Sequence, residues 1–119
     1  MALRDDLRRG DIVTVTLNGD YGKPHPALIV QADAFSVLPA VTVLRISSEL
    51  HDAPLIRILV RPDRGNGLRD PSQVMVDKAI SVPRGKLGSR IGRVEPGLMR
   101  VIDNALQVFL GLKPVRGAP

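Results

Sequence analysis

Apolar and polar residues alternate along much of the chain with the two-residue period of strands. In residues 12–17, Val13, Val15 and Leu17 fall on one side and Thr14 and Thr16 on the other; the turn formers Asn18, Gly19 and Asp20 follow. Residues 27–31 and 41–46 are compact apolar runs rich in β-branched residues or Leu, separated by a segment that contains Pro39. In residues 55–61, Ile56, Ile58 and Val60 alternate with Leu55, Arg57, Leu59 and Arg61, and Pro62 ends the run. A polar loop over 61–71, with Gly65, Asn66 and Gly67 at its tip, leads to further strand candidates at 73–76, 80–82 and 90–94.

The period changes after Pro96. Leu98, Val101, Ile102, Ala105, Phe109 and Leu112 recur at helical spacing, while Arg100, Asp103, Asn104 and Gln107 fall on the other side. Pro96 suits a first helical position and Gly111 a C-terminal stop. About seven short strands closed by one amphipathic helix predict an α+β fold, a small twisted sheet or open barrel. No repeat, low-complexity tract or long linker divides the 119 residues, so a single domain is expected.

Composition narrows the function classes. Hydrophobic residues at 44% and charged residues at 24% suit a folded protein. Aromatics are only 3%, which argues against modules that stack several bases of a single strand on aromatic rings. Cysteine is absent, which removes disulfides, thiolate metal sites and cysteine nucleophiles together and is compatible with a reducing compartment. Residues 1–10 are charged and have no apolar core, so no signal peptide is expected there. The longest weakly charged stretch, 24–44, is broken by Gln31, Asp33 and Pro39 and does not read as a membrane span. A cytoplasmic protein is the expectation.

The net charge is +5, and Lys78, Arg84, Lys86, Arg90 and Arg93 follow Asp77 with no acid among them until Glu95. That run implies a polyanion or an acidic protein partner. A solvated basic face that only keeps the protein soluble is the bland alternative.

The order of motifs resembles a known family. Residues 9–13 read Arg-Gly-Asp-Ile-Val, and after a short polar loop residues 26–30 read Pro-Ala-Leu-Ile-Val. This opening is similar to that of the MazF/PemK toxins. Residues 41–47 resemble the family's third strand, residues 73–77 its later strand ending in an acid, and the helix from Glu95 and Pro96 its C-terminal helix. The resemblance runs from about Arg8 to Leu112, leaving a short tail at 113–119.

The resemblance implies a homodimer built on an SH3-like barrel, a toxin that cuts single-stranded mRNA at short motifs without a metal or other cofactor, and a small cognate antitoxin. The family's active-site arginine usually precedes the proline of the second strand, where this chain has His25 before Pro26. Ser47 matches a catalytic Thr or Ser at the end of the third strand. Asp77 matches an acidic active-site residue, whereas Met75 stands where some members carry arginine. The loop 18–24 is shorter than usual in the family.

Metal-free RNA cleavage needs a base for the 2′-hydroxyl proton, an acid for the leaving 5′-oxygen and a donor or cation for the phosphorane charge. His25 is the candidate for proton transfer, because imidazole serves as acid or base near neutrality; otherwise it is a turn histidine between two prolines. Ser47 could donate to a non-bridging oxygen, or be an ordinary strand-end serine. Lys23, Arg45 and Lys78 are candidate cations in place of the missing arginine, Lys23 first among them because it adjoins His25 in the loop, and Arg84 and Lys86 belong to the basic run expected to meet RNA phosphates. Asp77 could orient His25 or form an ion pair with Lys78. His51, beside Asp52 and Pro54, reads as a surface loop residue, and no second histidine lies at metal-ligand spacing.

Two other readings belong to different classes. One is a non-enzymatic toxin similar to CcdB, which poisons gyrase through a Trp-Gly-Ile end; this chain has no Trp. The other is a catalytically weakened relative kept for binding RNA or antitoxin.

Overall fold

A computed structural model describes residues 6–17 and 22–112. The turn expected at Asn18, Gly19 and Asp20 and the tail 113–119 lie outside them. Among the described residues there are six strands, β1 (Asp11–Thr16), β2 (Pro24–Ile29), β3 (Ala40–Ser47), β4 (Arg57–Val60), β5 (Ser72–Pro83) and β6 (Leu87–Arg93), followed by α1 (Pro96–Leu110). They form one antiparallel sheet in the order β4-β5-β3-β2-β1-β6, with β4 and β6 at its edges.

The expected count of seven strands becomes six because the runs at 73–76 and 80–82 are one strand. Leu44 pairs with Ala79 and Ile46 with Val74, so two steps along β3 oppose five along β5. The polar interruption at Asp77 and Lys78 is therefore a bulge rather than a turn. Such an irregularity lets one strand bend and serve two partners: its first half pairs with β4, and its second half with residues 40–44 of β3.

The alternation read from the sequence separates two cores. Ile12, Leu28, Leu44, Ile46, Val74 and Val76 point to one face and meet Met99 and Ile102 of α1. Val13, Val15, Ala27, Ile29, Val41 and Val43 point to the other and gather with Val82, Leu87 and Leu7. A strand buried on both sides reads as a nearly continuous apolar run, which is why 27–31 and 41–46 look compact rather than alternating.

Helix α1 begins as expected. The Glu95 carboxylate accepts the N–H groups of Gly97 and Leu98, Pro96 opens the first turn, and Gly111 caps the end. Its inward stripe differs from the expectation: Met99 and Ile102 are buried, with Leu98, Ala105 and Leu106 beside them. Val101, Phe109 and Leu112, expected on the buried side, are exposed together with Val108 and Leu110. The sheet covers one stripe of the earlier turns and leaves Val101 and the apolar residues of the last turn exposed. No helix among the described residues is long and apolar enough to cross a membrane.

The Arg-Gly-Asp opening is structural. Arg9 pairs with Asp103 of α1 and donates from Nε to the Val30 carbonyl at 2.9 Å, tying the helix to the start of β1. Asp11 is fully buried and accepts from Arg93 Nη1 at 2.6 Å and from the Arg8 N–H at 2.7 Å. Arg90 approaches the same carboxylate at 3.8 Å. Arg93 of the basic run is thus paired with an acid 82 positions earlier in the chain, and Arg90 lies near the same single charge.

Candidate active site

β2 begins Pro24-His25-Pro26. Each proline fixes its own φ, and Pro26 also holds the residue before it extended, so the His25 backbone is constrained from both sides. The β2–β3 ladder starts only at Ala27, opposite Arg45. Continued two residues outward, that register sets His25 across from Ser47. Prolines lack the N–H that would extend the ladder, and the strands separate where a groove opens.

The groove has a volume of about 660 Å³. His25, Arg45 and Ser47 line it from β2 and β3, and Met75 and Lys78 line it from the bulged part of β5. The loop after β3 adds Glu49 and His51, and the loop before β5 adds Leu68, Arg69 and Asp70. Three permanent cations, Arg45, Arg69 and Lys78, therefore share the groove with two carboxylates and two imidazoles. Ser47 Oγ accepts the Glu49 N–H at 3.0 Å, which leaves its own hydrogen available for donation.

The expected site residues divide. His25, Ser47, Arg45 and Lys78 come together. Lys23 is exposed and does not line the groove, nor does Lys86. Arg84, expected to meet RNA phosphates, is 3% exposed, and its Nε donates to the Leu38 carbonyl at 2.5 Å while its N–H donates to the Pro39 carbonyl at 2.9 Å. It pins the segment leading into β3 and does not line the groove.

Asp77 is not among the groove residues either; it pairs with Arg57 of β4 rather than with His25 or Lys78. Met75 pairs with Arg57 in the ladder, so Asp77 lies two residues beyond, on the same side of β5. Arg57 Nε is buried without a partner of its own, which makes the carboxylate its main compensation. Asp77→Ala is expected to lower stability by about 1–2 kcal/mol, discounted for the pair's partial exposure, as read by denaturant unfolding.

Sequence reasoning missed Arg69, Asp70 and the groove position of His51. The signal that bore on them was weak: a Gly-Asn-Gly loop tip that looked solvent-exposed. Asn66 is in fact 1% exposed. Its Nδ2 donates to the Arg61 carbonyl at 2.8 Å, and its Oδ1 accepts the N–H groups of Asp63 and Leu68. The loop lies on β6, where the Arg93 N–H donates to the Gly65 carbonyl at 2.7 Å, and it emerges at Leu68–Asp70 beside the groove.

Residues 8–110 match the family model described as PemK-like, MazF-like toxin of type II toxin-antitoxin system. The chain belongs to that family. Among curated relatives, a probable endoribonuclease MazF of Mycolicibacterium smegmatis is 45% identical over 107 residues, 89% of this chain and 98% of the relative. Among solved structures, an endoribonuclease in complex with its cognate antitoxin from a mycobacterial species superposes with a TM-score of 0.75 at 24% identity, covering 92% of this chain and 99% of that one. The Mycobacterium tuberculosis toxin MazF-mt6 gives a TM-score of 0.75 at 25% identity over 87% of this chain and 99% of its own. The Deinococcus radiodurans MazE-MazF structure gives 0.71 at 17% identity over 94% and 100%. The MazF-like fold thus extends over nearly all of the chain.

Proposed function

We propose that this chain is the toxin of a toxin-antitoxin pair, a metal-independent endoribonuclease that cuts single-stranded mRNA at short motifs. The observation that carries the proposal is the convergence of His25 and Ser47 in one cationic groove of a MazF-like fold. RNA supplies its own nucleophile, the 2′-hydroxyl, so the protein has only to move protons and stabilise charge. His25 takes the 2′-hydroxyl proton. Ser47 donates to a non-bridging oxygen, and Arg45, Arg69 and Lys78 hold the phosphates.

The partners follow from the same reading: single-stranded RNA in the groove, a cognate antitoxin, and a second copy of the chain, all in the cytoplasm. Val101 and Val108, exposed seven residues apart on one side of α1, support a protein partner, because exposed apolar surface marks interaction sites. We also read the bent sheet as the family's SH3-like barrel. The loop 61–71 supports this, since it crosses from the end of β4 to β6, the opposite edge, and bonds there through Gly65 and Arg93.

Incubation of the protein with a long single-stranded RNA in EDTA tests the proposal. The expected result is cleavage at a recurring short motif, with 2′,3′-cyclic phosphate and 5′-hydroxyl ends. RNA bound but left whole would refute the enzyme reading and leave a binding protein. Inhibition of gyrase without any cut would favour the CcdB-like alternative.

A further inference from the structure

His51 has no part in the chemistry assigned so far, yet it lines the same groove as His25 from the loop between β3 and β4. An exposed loop ordinarily holds its side chains loosely. Here the backbone of His51 is clamped, although its side chain is exposed. Gln73, 8% exposed and opposite Ser47 in the β3–β5 ladder, spends both ends of its amide on the His51 backbone. Gln73 Nε2 donates to the His51 carbonyl at 2.9 Å, and Gln73 Oε1 accepts the His51 N–H at 2.9 Å. The Glu49 N–H is fixed on Ser47 Oγ, and Glu49 Oε1 lies 3.6 Å from His51 Nε2.

We propose that His51 is the second proton-transfer group of the cleavage site, the general acid for the leaving 5′-oxygen, and that Gln73 is its positioning residue. The inference rests on the endoribonuclease reading. In the step, His25 accepts the 2′-hydroxyl proton as the 2′-oxygen forms its bond to phosphorus. The bond from phosphorus to the 5′-oxygen breaks with its electron pair on that oxygen, and protonated His51 delivers a proton to it. The products are a 2′,3′-cyclic phosphate and a 5′-hydroxyl, with His25 protonated and His51 neutral; exchange with water restores both. Around His51 the groove presents Glu49 on its own loop, Asp70 and Arg69 on the 61–71 loop, Arg45 on β3 and Lys78 on β5. Metal-free cleavage needs two proton carriers, and the groove holds two imidazoles.

The test uses an oligonucleotide carrying the mapped motif, in two forms: all-oxygen, and with the leaving 5′-oxygen at the cut site replaced by sulfur. A thiolate departs without a proton, so the sulfur substrate has no need of the acid. His51→Ala is expected to slow the all-oxygen substrate by about 100-fold or more and to cut the sulfur substrate within about threefold of the unaltered protein. Gln73→Met keeps the volume and loses the clamp; it should show the same selective rescue with a smaller deficit, about tenfold. A role in folding alone would slow both substrates equally.

Equal slowing of both substrates by His51→Ala, or no slowing of either, overturns the proposal while the nuclease reading stands. An unaltered protein that cuts neither substrate overturns both.

Discussion

His25→Ala is expected to slow cleavage of single-stranded RNA by about 10²- to 10⁴-fold, the range spanned by a positioned proton-transfer group. The histidine is half-buried at the groove, on a backbone stiffened by Pro24 and Pro26, and the register continued from Ala27 and Arg45 sets it across from Ser47. Because the site is preorganised, little of the effect should come from rearrangement, and the melting temperature should change by no more than a few degrees. His25→Gln is the sharper comparison: it retains a polar side chain but cannot shuttle a proton, so it should be nearly as slow. Single-turnover rates with saturating RNA separate the chemical step from binding. Unchanged turnover in both variants would remove His25 from the mechanism.

Gly92→Ala should cost about 3–5 kcal/mol and lower the melting temperature by roughly 10 °C or more. A Cβ built on Gly92 overlaps the Asn66 carbonyl carbon and oxygen and sits 2.6 Å from its Cα. All of these are backbone atoms, so no rotamer relieves the clash. The loop would have to lift from β6, breaking the bond from the Arg93 N–H to the Gly65 carbonyl and exposing the buried Asn66 amide. Leu68, Arg69 and Asp70 would move with it, so cleavage by the folded fraction should fall as well. Gly85→Ala is the control: nothing lies within 4 Å of its added Cβ, and stability should stay within about 0.5 kcal/mol. Thermal unfolding of the two variants side by side reads the difference.

Strands, helix and the turn at Pro96 were legible in the sequence because each depends on residues close together in the chain. Val13 and Val15 against Thr14 and Thr16 state a strand, and Pro96 with Gly111 brackets a helix wherever the rest of the chain goes. The motif order was equally local, and so was the nomination of His25 and Ser47. The interruption at Asp77 and Lys78 was visible too, yet a turn and a bulge break a hydrophobic pattern alike; only pairing with both β3 and β4 distinguishes them.

Charge and exposure were decided at longer range. The run from Lys78 to Arg93 contains no acid, but Asp11, brought alongside by the β1–β6 pairing, pairs with Arg93 and lies near Arg90, and Arg84 is buried under the segment before β3. His51 is the exposed loop residue that its neighbours in the chain suggest, and only Gln73, 22 positions later, binds its backbone beside the groove. The sequence by itself determined which segments become strands and helix, since backbone preference and side-chain period act over a few residues. The tertiary structure alone decided which charges remain available and which loop residues meet His25, because electrostatic and hydrogen-bond partners are chosen by distance in space.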